Sequence, residues 1–155
     1  MKRLLLALVF VITGSSMVRA QELIGTWKLV AFQTIFDNEP PKEVYGTQPK
    51  GILVLTREGR MIAILTAQDR QAGMGDAERA TLHRTMISYS GRYEVQGNEF
   101  TTTVDVSWNE SWNGSRQKRY WKIENGKLFI ESAPGPSPGY AGRTSFGRLV
   151  WERDQ

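Results

Sequence analysis

The sequence predicts an all-β protein, an eight-stranded up-and-down antiparallel barrel with one short helix. Three observations carry this. Eight short segments alternate apolar and polar residues with the period of two that a half-buried strand requires. The connections between them alternate strictly between tight turns and long loops. In an up-and-down sheet, alternate connections lie at opposite ends. Every tight turn therefore falls at one end and every long loop at the other. Eight strands closing on themselves then enclose a volume sealed at one end and open at the other.

The first strand is expected over 26–34, the second over 51–56 and the third over 60–66. A helix follows, from Asp76 as N-cap to about Thr85. The fourth to eighth strands are expected over 87–96, 99–108, 117–124, 127–132 and 145–153. All are rich in β-branched and aromatic residues. Tight turns fall at "REG" (57–59), "QGN" (96–98) and "ENGK" (124–127), whose Asn125-Gly126 pair is a type I′ hairpin signal. Residues 35–50, 67–86, 109–116 and 133–144 form the long connections. The first strand starts, and the last ends, at the sealed end. Trp27 is thus expected to plug the barrel floor. Gly25 lets the chain pass close beneath it, and Arg153 stacks on its ring.

Residues 1–20 read as a signal peptide rather than as part of the barrel, which is assigned to 21–155. Lys2 and Arg3 give a positive start, Leu4 to Ile12 is unbroken apolar sequence, and Val18 and Ala20 fit a cleavage site. The apolar run is half the length that a membrane span needs, so no stable membrane insertion is expected after cleavage. A secreted or periplasmic location follows. The chain has no Cys, which excludes disulfides, thiolate metal sites and a lipid-modified Cys. Lys2, Arg3 and Arg19 leave with the signal and no acid does. The 20 basic residues become 17 against 16 acidic, a net charge of +1. Nothing in that balance favours nucleic acid.

A Gly-x-Trp on the first strand and an Arg on the last over that Trp resemble the lipocalins. The chain is most similar to the lipocalin-like domain family of bacterial and fungal proteins. The resemblance rests on "LIGTWKLV" (23–30), "YG" (45–46), "PKGILVLTREGRM" (49–61), "YSGRYEV" (89–95), "WNG" (112–114), "QKRYW" (117–121) and "LVWER" (149–153). These occur in the family's order. Where such domains often carry a His on the fifth strand, this chain reads "TTTVDV" (101–106), and it reads "NESW" (109–112) where they often have Pro before the loop Trp. The resemblance implies a barrel with a pocket and fixes no ligand.

Alternation assigns the inner face. It takes Trp27, Leu29 and Ala31 on the first strand, and Met61, Ala63 and Leu65 on the third. On the fourth it takes Tyr89, Gly91, Tyr93 and Val95, and on the fifth Phe100, Thr102, Val104, Val106 and Trp108. Gln117, Arg119, Trp121 and Ile123 complete it on the sixth. The second and third strands are apolar on both faces, so the helix or a partner subunit is expected to cover one outer face. Arg119 is the single charge of the inner set. Three readings stand open: it snorkels to the mouth or stacks on an aromatic ring, a loop acid reaches it, or it receives the anionic group of a ligand. In the third reading Tyr89, Tyr93 and Gln117 add donors, Leu65, Val104 and Trp121 line the pocket, and Trp108 with Trp112 caps it. The alternative for both Trp residues is that they seal the loop.

Other chemistry is weaker. "GPSPG" (135–139) matches a nucleophile-elbow pattern, but prolines flank Ser137 where that motif needs a helix start. The one His, His83, falls on the helix surface, and a metal site is not expected. Asn109 and Asn113 head glycosylation sequons that only a eukaryotic secretory host would use. No cofactor is indicated, and the oligomeric state is open. The sequence thus points to a barrel binding a small apolar or amphipathic molecule. The rivals are an isomerase or cyclase with Tyr89 or Tyr93 as proton donor, and an interaction module with a filled barrel. No acid–base pair appears on the inner face, so no catalytic residue is assigned.

Overall fold

The structure, a computed structural model, describes residues 21–36, 39–136 and 142–154. The expected signal peptide and Ser137 lie outside these residues. Ten strands form one sheet: β1 (Gly25–Phe36), β2 (Lys42–Glu43), β3 (Lys50–Leu55), β4 (Arg60–Thr66), β5 (Met86–Gln96), β6 (Glu99–Ser107), β7 (Arg116–Glu124), β8 (Lys127–Glu131), β9 (Gly135–Pro136) and β10 (Thr144–Arg153). Eight of them follow the order β1-β3-β4-β5-β6-β7-β8-β10, and β10 pairs back onto β1, closing an antiparallel barrel. β2 and β9 are two-residue ribbons, β2 on β1 and β9 on β10. Both lie inside connections expected to be plain loops, and two residues are too few to show a period. Asn125 and Gly126 both have positive φ, 52° and 74°, as the type I′ turn requires.

The helix α1 (Asp76–Arg84) is capped by Gly75 rather than by Asp76. Glu78 Oε2 accepts from the Gly75 N–H at 2.6 Å, so the acid three residues on closes the first turn and Asp76 sits within it. None of the residues of α1 is buried. It therefore does not cover the outer apolar face, and Ile52, Ile62 and Ile64 remain exposed there.

Two β-bulges interrupt the alternation, and each reverses an expected orientation. Between Leu29 and Ala31 the pairing of β1 with β10 shifts by one residue. Leu29 faces Trp151 inside, but Ala31 pairs with Val150, and Phe32 takes the inner position opposite Leu149. Ala31 is thus an outer residue. A second bulge lies opposite Ser90 and Gly91, where Asp105 is the extra residue of β6. Beyond it Val106 pairs with Ser90 and points outward, 65% exposed, although it was expected inside. Asp105 also turns out, where Ser90 Oγ donates to it at 2.8 Å and Arg60 pairs with it at 2.5 Å. Arg60 holds the Asp105 carboxyl below the usual carboxylate range, and the Ser90 hydrogen bond acts the same way. Gly91 makes the bulge possible, because a Cβ there would sit 2.1 Å from the Thr103 carbonyl oxygen.

The sealed end is a packed layer. Trp27 is 1% exposed, and its Nε1 donates to the Leu23 carbonyl at 2.8 Å. The Arg153 guanidinium lies 3.9 Å from the centroid of the Trp27 ring. It also donates to the carbonyl oxygens of Ile24 and Glu22. Gly25 has φ 136°, and a Cβ on it would meet Arg153 Nη1 at 2.2 Å, so the entering chain needs glycine here twice over. Leu55, Leu128 and Trp151 complete the layer, each at or below 1% exposure.

Candidate functional site

Above this floor the barrel is not filled. The inner face encloses a cup of about 420 Å³, within the range of small-molecule sites. Its bottom is set by Leu53, Met61, Phe100 and Trp151, all buried. Its upper wall is only half-buried and comes from Phe32, Ile87, Tyr89, Trp112, Arg119 and Leu149. Tyr93 stacks beneath Phe100 with centroids 5.2 Å apart, fixing that ring. No Asp, Glu or His lines the cup among the described residues.

The rim is built by a loop that folds back along β6. Above Thr103, β6 no longer pairs with β7. Val104 instead donates to the Ser115 carbonyl at 3.0 Å and accepts from the Gly114 N–H at 2.9 Å. Between these anchors and β6, Glu110–Trp112 form one 3₁₀ turn capped by the Asn109 side chain, which accepts from the Ser111 N–H. The turn delivers Trp112 over the cup, edge-on to Tyr89 with centroids 5.3 Å apart. Trp108 backs Trp112 at 4.9 Å and does not reach the cup. His83, exposed on α1, makes a hydrogen bond of 3.2 Å with the Trp108 carbonyl, tying helix to rim.

Arg119 reaches the cup from β7. Its Nη1 donates to the Lys118 carbonyl at 2.8 Å and its Nη2 to Gln117 Oε1 at 3.1 Å. Gln117 lies two residues nearer the mouth, so the guanidinium is directed toward the rim. Both partners are neutral, and among the described residues no carboxylate pairs with Arg119. The loop acid of the second reading is therefore not among these residues. Tyr89 is close enough to Arg119 for the cation to act on it. Burial pushes the Tyr89 hydroxyl above the usual phenol range, and Arg119 partly opposes this. No described group hydrogen-bonds that hydroxyl.

The expected site residues separate into two groups. Arg119, Tyr89 and Leu65 line the cup, and Gln117 touches it through Arg119. Tyr93, Val104, Trp108 and Trp121 lie outside its lining. Tyr93 hydroxyl donates to the Thr56 carbonyl at 2.8 Å, which holds it against the wall. Val104 and Trp121 are buried in wall packing. Phe32 and Leu149 were missed. The bulge at Val30 moves Phe32 inward, opposite Leu149 on β10. A larger depression of about 490 Å³ lies by the β5–β6 turn, lined by Glu22, Asn98, Tyr120 and Lys122 among others. Trp121, Ile123 and Phe129 also line it, beside the charged Glu22, Lys122 and Glu131, and it shares no residue with the cup.

The family model described as lipocalin-like domain matches residues 24–154. Among solved structures, a lipocalin-like protein from Bacteroides uniformis shares 13% identity, with a TM-score of 0.47 over 86% of this chain and 99% of that one. An uncharacterized protein from Bacteroides eggerthii shares 12% identity, with a TM-score of 0.42 over 84% and 98% of the two chains. No curated protein matches the chain.

Proposed function

Because the chain belongs to the lipocalin-like domain family, we propose that its barrel binds a small amphipathic molecule in the cup, apolar body down and anionic head at Arg119. The observation that carries this is the pairing of an apolar cup with a cation whose partners among the described residues are neutral. An anionic oxygen at the rim gives Arg119 the charged acceptor that the described residues do not supply. The Tyr89 hydroxyl, which no described residue hydrogen-bonds, is placed to donate beside it. The body then displaces water from Phe32, Ile87 and Leu149, and apolar burial supplies most of the affinity. Among the described residues no base lines the cup to pair with a tyrosine donor, so the geometry favours binding over the isomerase reading. We further propose that the protein works outside the cytoplasm, on the strength of the Lys2-Arg3 start and the short apolar run of residues 4–12.

The test is a titration of small apolar acids against their matching alcohols. A charge-assisted hydrogen bond contributes about 1.5–3 kcal/mol. The half-exposed guanidinium belongs at the low end, so acids should bind about tenfold more tightly. In Arg119→Met the preference should vanish while alcohol affinity holds. If neither series binds, the cup is not a binding site. If the preference survives in Arg119→Met, the head group lies elsewhere.

A further inference from the structure

Resting on that reading, we infer that the ligand is a compact ring-bearing carboxylate and that the barrel discriminates against long aliphatic acids. Two independent features of the cup lead here, its depth and its wall.

The depth is limited by the packed floor. On β4 the cup takes three successive inner positions, Met61, Ala63 and Leu65, and on β10 it takes Gly147, Leu149 and Trp151. Three inner positions span about 14 Å of strand. At the usual barrel tilt that is roughly 10 Å of depth. An extended twelve-carbon acid, at about 1.25 Å per bond, is about 14 Å long. It would have to fold or project from the mouth, since the buried layer of Trp27, Leu55 and Leu128 closes the barrel beneath. The volume of about 420 Å³ lies near the small end of ligand sites.

The wall is aromatic at both levels. Phe32, Tyr89 and Trp112 stand at the rim, and Phe100 and Trp151 at the bottom. Three of the rings pack against a second ring: Phe32 on Tyr45 at 5.1 Å, Trp112 on Trp108, and Phe100 on Tyr93. Rings braced by a neighbouring ring suit a flat guest, which meets them edge or face at little entropic cost. A flexible chain would lose rotamer freedom to fit the same space. The guanidinium, directed toward the rim, sets the orientation: carboxylate up beside Tyr89, ring system down.

Isothermal titration calorimetry on the full chain tests this with 2-naphthoate, 2-naphthalenemethanol, octanoate and dodecanoate. Naphthoate is expected to bind at least about fivefold more tightly than dodecanoate, although the chain acid carries the larger apolar surface. In Trp112→Leu, which keeps an apolar rim, naphthoate should weaken about two- to tenfold, the span of one aromatic contact. Octanoate should change less than that. Dodecanoate binding as tightly as naphthoate, or Trp112→Leu weakening naphthoate and octanoate alike, overturns the inference and leaves the binding cup standing. Binding by none of the four removes the cup reading itself. Equal binding of naphthoate and its alcohol overturns the carboxylate assignment alone.

Discussion

Replacing Gly91 with Ala should destabilise the barrel by about 2–3 kcal/mol. The added methyl would lie 2.1 Å from the Thr103 carbonyl oxygen, 2.8 Å from Thr102 Cγ2 and 2.9 Å from the Thr103 carbonyl carbon. Even a close C···O contact needs about 3.3 Å, so the strands must separate by more than 1 Å at the bulge. Two of the three obstructing atoms are backbone, which cannot swing away as a side chain can. Overpacking of this kind costs about 1–3 kcal/mol, and a backbone obstacle belongs at the top of that range. The entropy that Ala saves relative to Gly in a strand, about 0.5–1 kcal/mol, offsets part of it. Urea unfolding should show a midpoint lower by about 1–2 M with an unchanged slope. The same strain pushes on the segment that carries Trp108 and Trp112, so near-ultraviolet circular dichroism should change with stability. A loss below about 0.5 kcal/mol with a native near-ultraviolet spectrum would refute the bulge geometry.

Two further predictions concern the floor and the tyrosines. Trp27→Ala should cost about 3–5 kcal/mol, the range for a buried aromatic truncated in a core; it also leaves the Leu23 carbonyl without its donor and removes the ring under Arg153. Denaturant unfolding with a loss under about 1 kcal/mol would contradict its place as the plug. Burial raises the phenol pKa of Tyr45, Tyr89 and Tyr93. Their neutral forms are thus favoured by the fold. Their contribution is intact below the ordinary phenol pKa near 10 and is lost as pH rises through the folded values. In Arg119→Met the cation opposing the rise at Tyr89 is gone, so tyrosinate absorbance should show one phenol titrating still higher. A downward or absent shift would show that Arg119 does not face Tyr89.

The barrel was legible because its marks are local. Alternation fixes a strand, Asn125-Gly126 fixes a turn, and the alternating loop lengths fix which end is closed. Arg119 was legible for the same reason, as the one charge in an apolar register. The bulges were not. "TTTVDV" reads as perfect alternation, and the residue that permits the bulge, Gly91, lies on the neighbouring strand. The bulge at Val30 carries no Gly or Pro, so Ala31 and Phe32 exchanged faces unannounced. Nor does any single strand say how far up the barrel the side chains fill. That level emerges only when Trp27, Phe100, Leu128 and Trp151 from different strands meet. It is why Tyr93 and Trp121, inner residues as expected, fall beside or below the cup rather than in it.

The most direct measurement is nuclear magnetic resonance of the ¹³C,¹⁵N-labelled protein with 2-naphthoate, read as intermolecular nuclear Overhauser effects. Contacts are expected from the ligand ring to Phe32, Ile87, Trp112 and Leu149, with the Arg119 guanidinium resonances shifting as the carboxylate binds. Contacts to Ile62, Ile64 and Val106 on the outer face instead, or binding that leaves Arg119 unmoved, would contradict this binding mode.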